Sequence, residues 1–490
     1  MRSLFLTAQF SLTTSLARWR TVLSDLLCPS WRVMLILAGS LLLNDAIFSV
    51  FPGQGRLAPL QGLEGVFSSI LAFIVFWAAA QPKMPRWLAL FWWWLPPLIR
   101  WPGWRGVITM GLVIITWNSI ARIGPTIEGN YYNDAITFVH ADADTLLHGR
   151  NPYTDDAAFW AAALRWPKAH ATPILGGPDF GSNPLNYPST AKLNQLYYQA
   201  TNLVARNGDF DPQTVHNYPA GIILMALPFV WAGLPTIVPL NALCFAIMLA
   251  LVLMRAPRRE RWPLGLALLL NPAFMVYVFV NVDAPALLWV LLAWHVMRRE
   301  KTSAIFMGLA CAVKQVAWFI APFYLLEVAR REGWAAALRR SGWLAVGFIV
   351  PNLPFIIAAP KAWAHSMLVP MTDAFFPLGF GPIALALSQI IPFGKPGYWT
   401  LLVLLVMGGL LLFQWCRPLP AIGLFLGLLP LWFSWRSPMN YFGLIPVLVA
   451  WIAAGYMVVT PPTAVADPPV YAEVETEPVP AAELELELAR

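Results

Sequence analysis

A succession of apolar windows, most of them near the roughly 20 residues that a membrane-crossing helix needs, constrains this chain more than any other feature. They recur at about 31–51, 65–80, 106–120, 218–235, 236–254, 263–280, 283–297, 302–327, 342–359, 374–392, 399–415, 418–434 and 438–458. Hydrophobic residues make up 58% of the 490 and charged residues only 12%, against about 25% charged in soluble proteins. So few charges cannot clothe the surface of a soluble chain of this length, and the mean hydropathy is +0.61. In lipid every backbone polar group must be satisfied inside its own element, which selects helices for windows of this length. The expected fold is all-α: a polytopic membrane protein of about 11–14 transmembrane helices. The 25 Trp, 29 Phe and 13 Tyr suit aromatic belts at both membrane interfaces. Neither a soluble domain nor an internal repeat is legible. Cys28, Cys244, Cys311 and Cys416 lie scattered in or beside apolar segments, a spacing that fits packing residues and neither a metal site nor a disulfide framework.

The net charge of +7 is unevenly placed. From Pro461 onward Asp467, Glu473, Glu475, Glu477, Glu483, Glu485 and Glu487 face a single Arg490, a sum of −6 that leaves +13 on the rest. A basic membrane body follows from the positive-inside bias and anionic lipid, without calling for nucleic acid. The tail 461–490, rich in Pro and Glu, reads as disordered, and residues 1–30 as an amphipathic segment on the inner face. The Trp-rich run between Arg86 and Arg100 reads as interfacial. The clusters Arg255/Arg258/Arg259/Arg261, Arg298/Arg299/Lys301 and Arg330/Arg331/Arg339/Arg340 each place their loop inside. Two full crossings by 218–235 and 236–254 would put Arg255 outside. Either one of these windows is a half-crossing hairpin or one basic loop breaks the bias. Window 302–327, with Lys314 and Gln315 in its middle, reads as two short helices meeting at a polar tip. The transmembrane body is then 31–460, interrupted by one long polar outer segment at about 122–217.

Polar groups at membrane depth are costly, about 2.5–3.5 kcal/mol for a central Asp or Lys on insertion scales, so their positions are informative. In the outer segment Ile136, Val139, Ala143, Leu146 and Leu147 recur at helical spacing, a short amphipathic helix lying along the bilayer and ended by Gly149. Asp134, His140, Asp142, Asp144 and His148 line its polar side. A solvated face accounts for Asp142 and Asp144, and an N-cap is the plain alternative for Asp134. His216, Asn217, Tyr218 and Pro219 lead into the next apolar run, where an interfacial aromatic with a helix-starting Pro is the plain alternative. A second surface helix is expected after Asn186-Tyr187-Pro188. Asn281 and Asp283 fall between two runs whose far ends are basic, which puts them on the outer face, with a cap as the plain alternative. Lys314 has no acid near it in sequence and either snorkels or faces an anionic ligand. Arg436, Asn440 and Tyr441 lie between the last two spans, where Arg436 is a phosphate ligand or an ordinary loop charge.

These residues carry a resemblance. The chain resembles the C-type superfamily of integral membrane glycosyltransferases, closest in pattern to the bacterial polyprenyl-phosphate-mannose-dependent mannosyltransferases. The run from Asp134 to Leu146-Leu147-His148-Gly149-Arg150-Asn151-Pro152-Tyr153, the Tyr218-Pro219 entry to a span, the polar pair Asn281 and Asp283, and the Gly-containing stretch from Met307 to Lys314 follow the family's order. They cover about 106–330. His140 stands where the family usually has Tyr, and Asn281-Val282-Asp283 replaces its Gly-Gln motif.

What the resemblance implies is an inverting transfer of a sugar, mannose being the commonest in that family, from a polyprenyl-phosphate donor to a glycan or glycolipid hydroxyl at the outer face. Asp134 is then the base that takes the acceptor's proton. Lys314 is the first expected contact to the departing phosphate, with Arg150 and His216 behind it. Tyr153, Tyr218, His140 and Asp283 complete the substrate surroundings. The family needs no cofactor and no metal, and its partners are the lipid-linked donor, the acceptor and membrane lipid. Two other classes compete. A transporter or lipid flippase would also place charges in spans, usually with repeats and broken helices at mid-membrane. A non-catalytic scaffold of a glycan-assembling complex would account for the acidic tail but not for Asp134, Asp283 and Lys314.

Overall fold

The computed structural model describes residues 29–50, 59–88, 111, 134–155, 216–269, 282–372, 378–388, 390, 395–415, 422–437 and 441–459. Within them the elements run α1 (Trp31–Val50), α2 (Pro59–Ala79), α3 (Asp134–Leu147), α4 (Ala220–Trp231), α5 (Val238–Arg255), α6 (Arg258–Leu269), α7 (Asp283–His295), α8 (Glu300–Val313), α9 (Val316–Glu332), α10 (Trp334–Ala358), α11 (Pro360–Thr372), β1 (Leu378–Gly379), α12 (Pro382–Leu387), α13 (Lys395–Trp415), α14 (Gly423–Leu426), α15 (Leu429–Trp432), β2 (Arg436–Ser437) and α16 (Ile445–Val459). The chain is an all-α polytopic membrane protein; its β structure among the described residues is one two-residue parallel pairing of β1 with β2. The expected first 30 residues (apart from 29–30), the Trp-rich run from 89 onward, the 106–120 span (apart from Gly111), the second surface helix and the acidic tail lie outside the described residues.

Four helices among the described residues are long and apolar enough to cross a membrane: α2, α5, α10 and most of α13. Their outward faces stay apolar. Val346, Ile349, Val350, Leu353 and Ile357 on α10, and Val403, Leu404, Met407, Leu411 and Leu412 on α13, are all exposed. On a soluble protein such patches would be anomalous; against lipid they are the expected surface.

Close helix crossings are made at glycines. A Cβ on Gly308 of α8 would lie 2.1 Å from the Leu344 carbonyl oxygen of α10, and one on Gly347 of α10 would lie 2.5 Å from Ile305 O of α8. Small residues at both positions let the backbones touch, the usual means of packing helices where lipid supplies no hydrophobic drive. Gly221 seats α4 on α8 in the same way, since a Cβ there would lie 2.5 Å from Ala312 O. Gly333, at φ +89°, turns α9 sharply into α10 in a conformation that side chains resist.

The loops sort to two ends. At one end the Arg32 guanidinium donates to the carbonyls of Gln81 (3.1 Å) and Pro82 (2.7 Å), and the Ser30 amide donates to Glu260 Oε2 at 3.2 Å. Arg255 stacks 4.0 Å over the Trp451 ring, and Arg330 donates to Phe413 O at 3.2 Å. Arg340 donates to Met297 O at 2.8 Å and to Glu332 at 2.6 and 2.8 Å. This basic end gathers the three Arg/Lys clusters that the sequence assigned to one side.

The topological conflict resolves at α4. His140 Nε2 meets Leu234 O, just beyond α4, at 3.0 Å, while Asp142 Oδ2 meets His216 Nδ1, just before α4, at 2.5 Å. Two residues of a helix are only about 3 Å apart along its axis. α4 has 12 residues, about 18 Å, too short to cross a hydrocarbon layer about 30 Å thick, and its flanks on both sides hold to α3, which fits the half-crossing alternative for 218–235. Arg255 then falls at the basic end by way of α5 alone. Two other apolar windows are not single helices over their described residues. Over its described residues window 374–392 holds β1 and the six-residue α12 instead of one helix, with Gly379 at φ +144° and Pro382 at the start of α12. Over its described residues window 418–434 is a short apolar helical stretch, Gly423–Trp432, divided into α14 and α15 by a turn at Gly427 and Leu428 beside Pro430, which has no amide to give to a continuous helix.

Candidate functional site

The end opposite the basic clusters carries the polar groups that the sequence singled out. α3 arises where expected and is closed by Gly149 at φ +74°, whose amide donates to Leu146 O at 3.0 Å while Arg150 N donates to Thr145 O at 3.1 Å. Its environment differs from the expected surface helix. Asp144 and His148 are exposed, but His140 and Asp142 are buried. The reason is that α4 packs along α3, so this helix has protein on a side that the amphipathic pattern left to solvent. Asp134 is the first residue of α3; its side chain lies outside the described set.

Asp142 and His216 form a buried pair, with side-chain exposures of 3% and 0%. Burial pushes the Asp142 carboxyl above its ordinary range, and the neighbouring His216 pulls it back. Asp142 Oδ2 lies against Nδ1 as a close charge contact, and neither that nitrogen nor Nε2 makes a hydrogen bond of regular geometry among the described residues. At His140 the partner is a carbonyl, which only accepts, so its Nε2 must carry the proton.

Tyr153 and Tyr218 enclose this pair. Tyr153 stands edge-on to the His216 ring with centroids 5.3 Å apart, and Tyr218 does so at 5.5 Å. Burial, with Asp142 nearby, lifts the Tyr153 phenol well above its ordinary value. It stays a donor and gives its proton to Tyr218 O at 2.9 Å. The Asn151 side chain accepts from the Tyr153 amide at 3.0 Å and fixes the turn.

Beyond Tyr218 lies a second buried pair. Lys314 caps α8 in an extended conformation, φ −156° and ψ 143°, and α9 starts again at Val316. The helix breaks here with neither Pro nor Gly, as the polar pair in the sequence suggested. Lys314 Nζ sits 2.7 Å from Asp283 Oδ1, with side-chain exposures of 4% and 2%. Asp283 is the first residue of α7, so an acid 31 positions upstream supplies what the local sequence lacks. The ammonium lies 5.2 Å from the Tyr218 ring centroid and 5.5 Å from that of Tyr441, within cation–π range. Gln315 Nε2 ties the break to Asn217 O at 2.6 Å. Arg436 stands within electrostatic range of Tyr441.

Of the expected residues, Lys314, Asp283, His216, Tyr153 and Tyr218 thus share one cluster, joined by Asp142 and Tyr441. His140 lies on the other side of α3. Arg150 turns outward and pairs with Asp155 at 2.7 Å. Asn281 and Asn440 lie outside the described residues. Reading the sequence missed Asn352, fully buried in α10, whose Oδ1 accepts from the Ala220 amide at 2.9 Å and from Trp363 Nε1 at 3.2 Å. It anchors the start of α4, and a lone Asn inside an apolar run was the signal that marked it. Among the described residues no group of three or more His, Cys, Asp or Glu is placed to hold a metal ion. No protein-family model, curated protein or solved structure matches the chain.

Proposed function

We propose that the protein is an inverting glycosyltransferase that moves a sugar, mannose first among candidates, from a polyprenyl-phosphate donor to a glycan or glycolipid hydroxyl. The observation that carries this reading is the position of the Lys314–Asp283 pair. α9 runs 17 residues from beside Lys314 to Glu332 at the basic end, about 25 Å, close to the full hydrocarbon thickness. The pair therefore sits near one membrane boundary, where the phosphate of a lipid-linked sugar also sits. By the positive-inside bias the basic end is cytoplasmic, and the cluster faces the exterior of a plasma membrane.

In this mechanism Asp134, at the start of α3, takes the proton of the acceptor hydroxyl as it attacks the anomeric carbon. The bond to the phosphate oxygen breaks with inversion, and the polyprenyl phosphate departs as a stabilised anion. Lys314 supplies positive charge near that anion, its own position held by Asp283 and by the two flanking tyrosine rings. His216, oriented by Asp142, offers Nε2 to a phosphate oxygen or a sugar hydroxyl. Tyr153 and Tyr218 shape the wall between the two pairs. Arg150, exposed and paired with Asp155, is ranked below both as a phosphate contact.

One observation favours a second reading, a lipid transporter: the unwound break at Lys314 between two half-length helices. Such breaks serve transport at mid-membrane, and this one is at a boundary. The test is transfer of labelled sugar from polyprenyl-phosphate mannose into a membrane glycolipid extract by the purified protein. Asp134→Asn, with the fold intact, is expected to lower transfer about a thousandfold. Transfer that survives the substitution moves the base elsewhere, with Asp283 next.

A further inference from the structure

The negative charge of residues 461–490 is delivered to a particular place. α16 ends at Val459, and Tyr456 in its last turn lies within the field of Arg255, Arg32 and Arg331. The acidic segment therefore leaves the membrane body at the basic end. There Lys83, Arg86, Arg258, Arg298, Arg299 and Lys301 are exposed. The acids of that end are already matched: Glu327 with Arg330 and Arg331, Glu300 with Arg339, Glu332 with Arg340, and Glu260 with Arg259.

The tail's acids are patterned as well as numerous. Glu473, Glu475 and Glu477 form one alternating triplet, and Glu483, Glu485 and Glu487 another. In extended backbone, alternate residues fall on one side, so each triplet can present three carboxylates in a row about 7 Å apart. Thirty residues with random-coil statistics would span roughly 30 Å r.m.s., the width of several helices packed about 8–10 Å apart. Tethering at Val459 holds the segment near the cations at an effective concentration of order millimolar.

We propose that residues 461–490 fold back onto the basic end of their own chain and cover it, competing there with anionic lipid headgroups. The contacts are exposed and individually weak, so the association is salt-sensitive and reversible. This holds whichever reaction the opposite end performs.

Carbodiimide coupling of the full-length protein, in lipid discs containing roughly a third phosphatidylglycerol, tests it. The expected result is amide links from tail glutamates to Lys83 or Lys301 within one chain, at a yield independent of protein concentration. Raising salt from about 0.1 M to about 1 M, which contracts the Debye length from about 10 Å to about 3 Å, should cut that yield severalfold. A chain truncated after Val459 serves as the blank. Links formed only between separate chains overturn the proposal. So does complete amidation of the tail by an added small amine with no links to the body, which would leave the basic face to lipid.

Discussion

Lys314 and Asp283 illustrate why a buried ion pair argues for function more than for stability. Removing two charges from water costs several kcal/mol per ion, and their attraction returns that only in part. Asp283→Ala, which strands the ammonium, is expected to destabilise the protein by about 3–5 kcal/mol, read as a lowered apparent unfolding temperature in detergent. The double variant Asp283→Leu/Lys314→Met should recover most of that stability while remaining inactive in transfer. A double variant that unfolds as early as the single one would mean the pair is chiefly structural. Lys314 was legible as a functional candidate because a lone cation in an apolar window needs an explanation. Asp283 was legible as an outer-face acid but not as the partner of Lys314, because two helices separate them in the chain and only folding brings them together. The same holds for Asp142, which a helical pattern assigns to solvent until α4 packs against it and His216 is delivered to its carboxylate.

Window-length apolar runs fixed which elements form, and they were less informative about which ones cross. α4 is the clearest case: its composition is that of a span, yet contacts of His140 and Asp142 place both its ends beside α3. Single cysteines at Leu234 and Asp155 should therefore react with a membrane-impermeant thiol reagent from the same side, and one at Arg258 from the other. Labelling of Leu234→Cys from the side opposite Asp155→Cys would restore α4 as a crossing. Over their described residues windows 374–392 and 418–434 hold short helices in place of single long ones, next to Pro382 and Pro430, which give no amide to the backbone ladder, a signal present in the sequence but outweighed there by hydropathy. The glycine crossing of α8 and α10 gives a further expectation. Gly308→Val places side-chain atoms where Leu344 O already stands, and overpacking of this kind costs about 1–3 kcal/mol. Since α8 carries Lys314 at its end, the variant should lose donor affinity as well as thermal stability, whereas Gly342→Val, where a Cβ meets nothing within 4 Å, should do neither.

The molecule as a whole is polarised, with arginine-rich turns at one end and two buried acid–base pairs separated by Tyr218 at the other. The proposed lipid-linked donor would use that separation, its phosphate and sugar lying at a membrane boundary while its chain remains in lipid. The most direct measurement reconstitutes the protein in liposomes with radiolabelled polyprenyl-phosphate mannose on the side of the cluster and a glycolipid extract as acceptor. The fate of the label is then followed through the donor, acceptor and opposite-leaflet pools. The expected result is label in the acceptor with stoichiometric release of polyprenyl phosphate, and none when a nucleotide sugar replaces the lipid donor. Label that reaches the opposite leaflet still joined to its lipid, or that never leaves any polyprenyl-phosphate sugar offered, would contradict it.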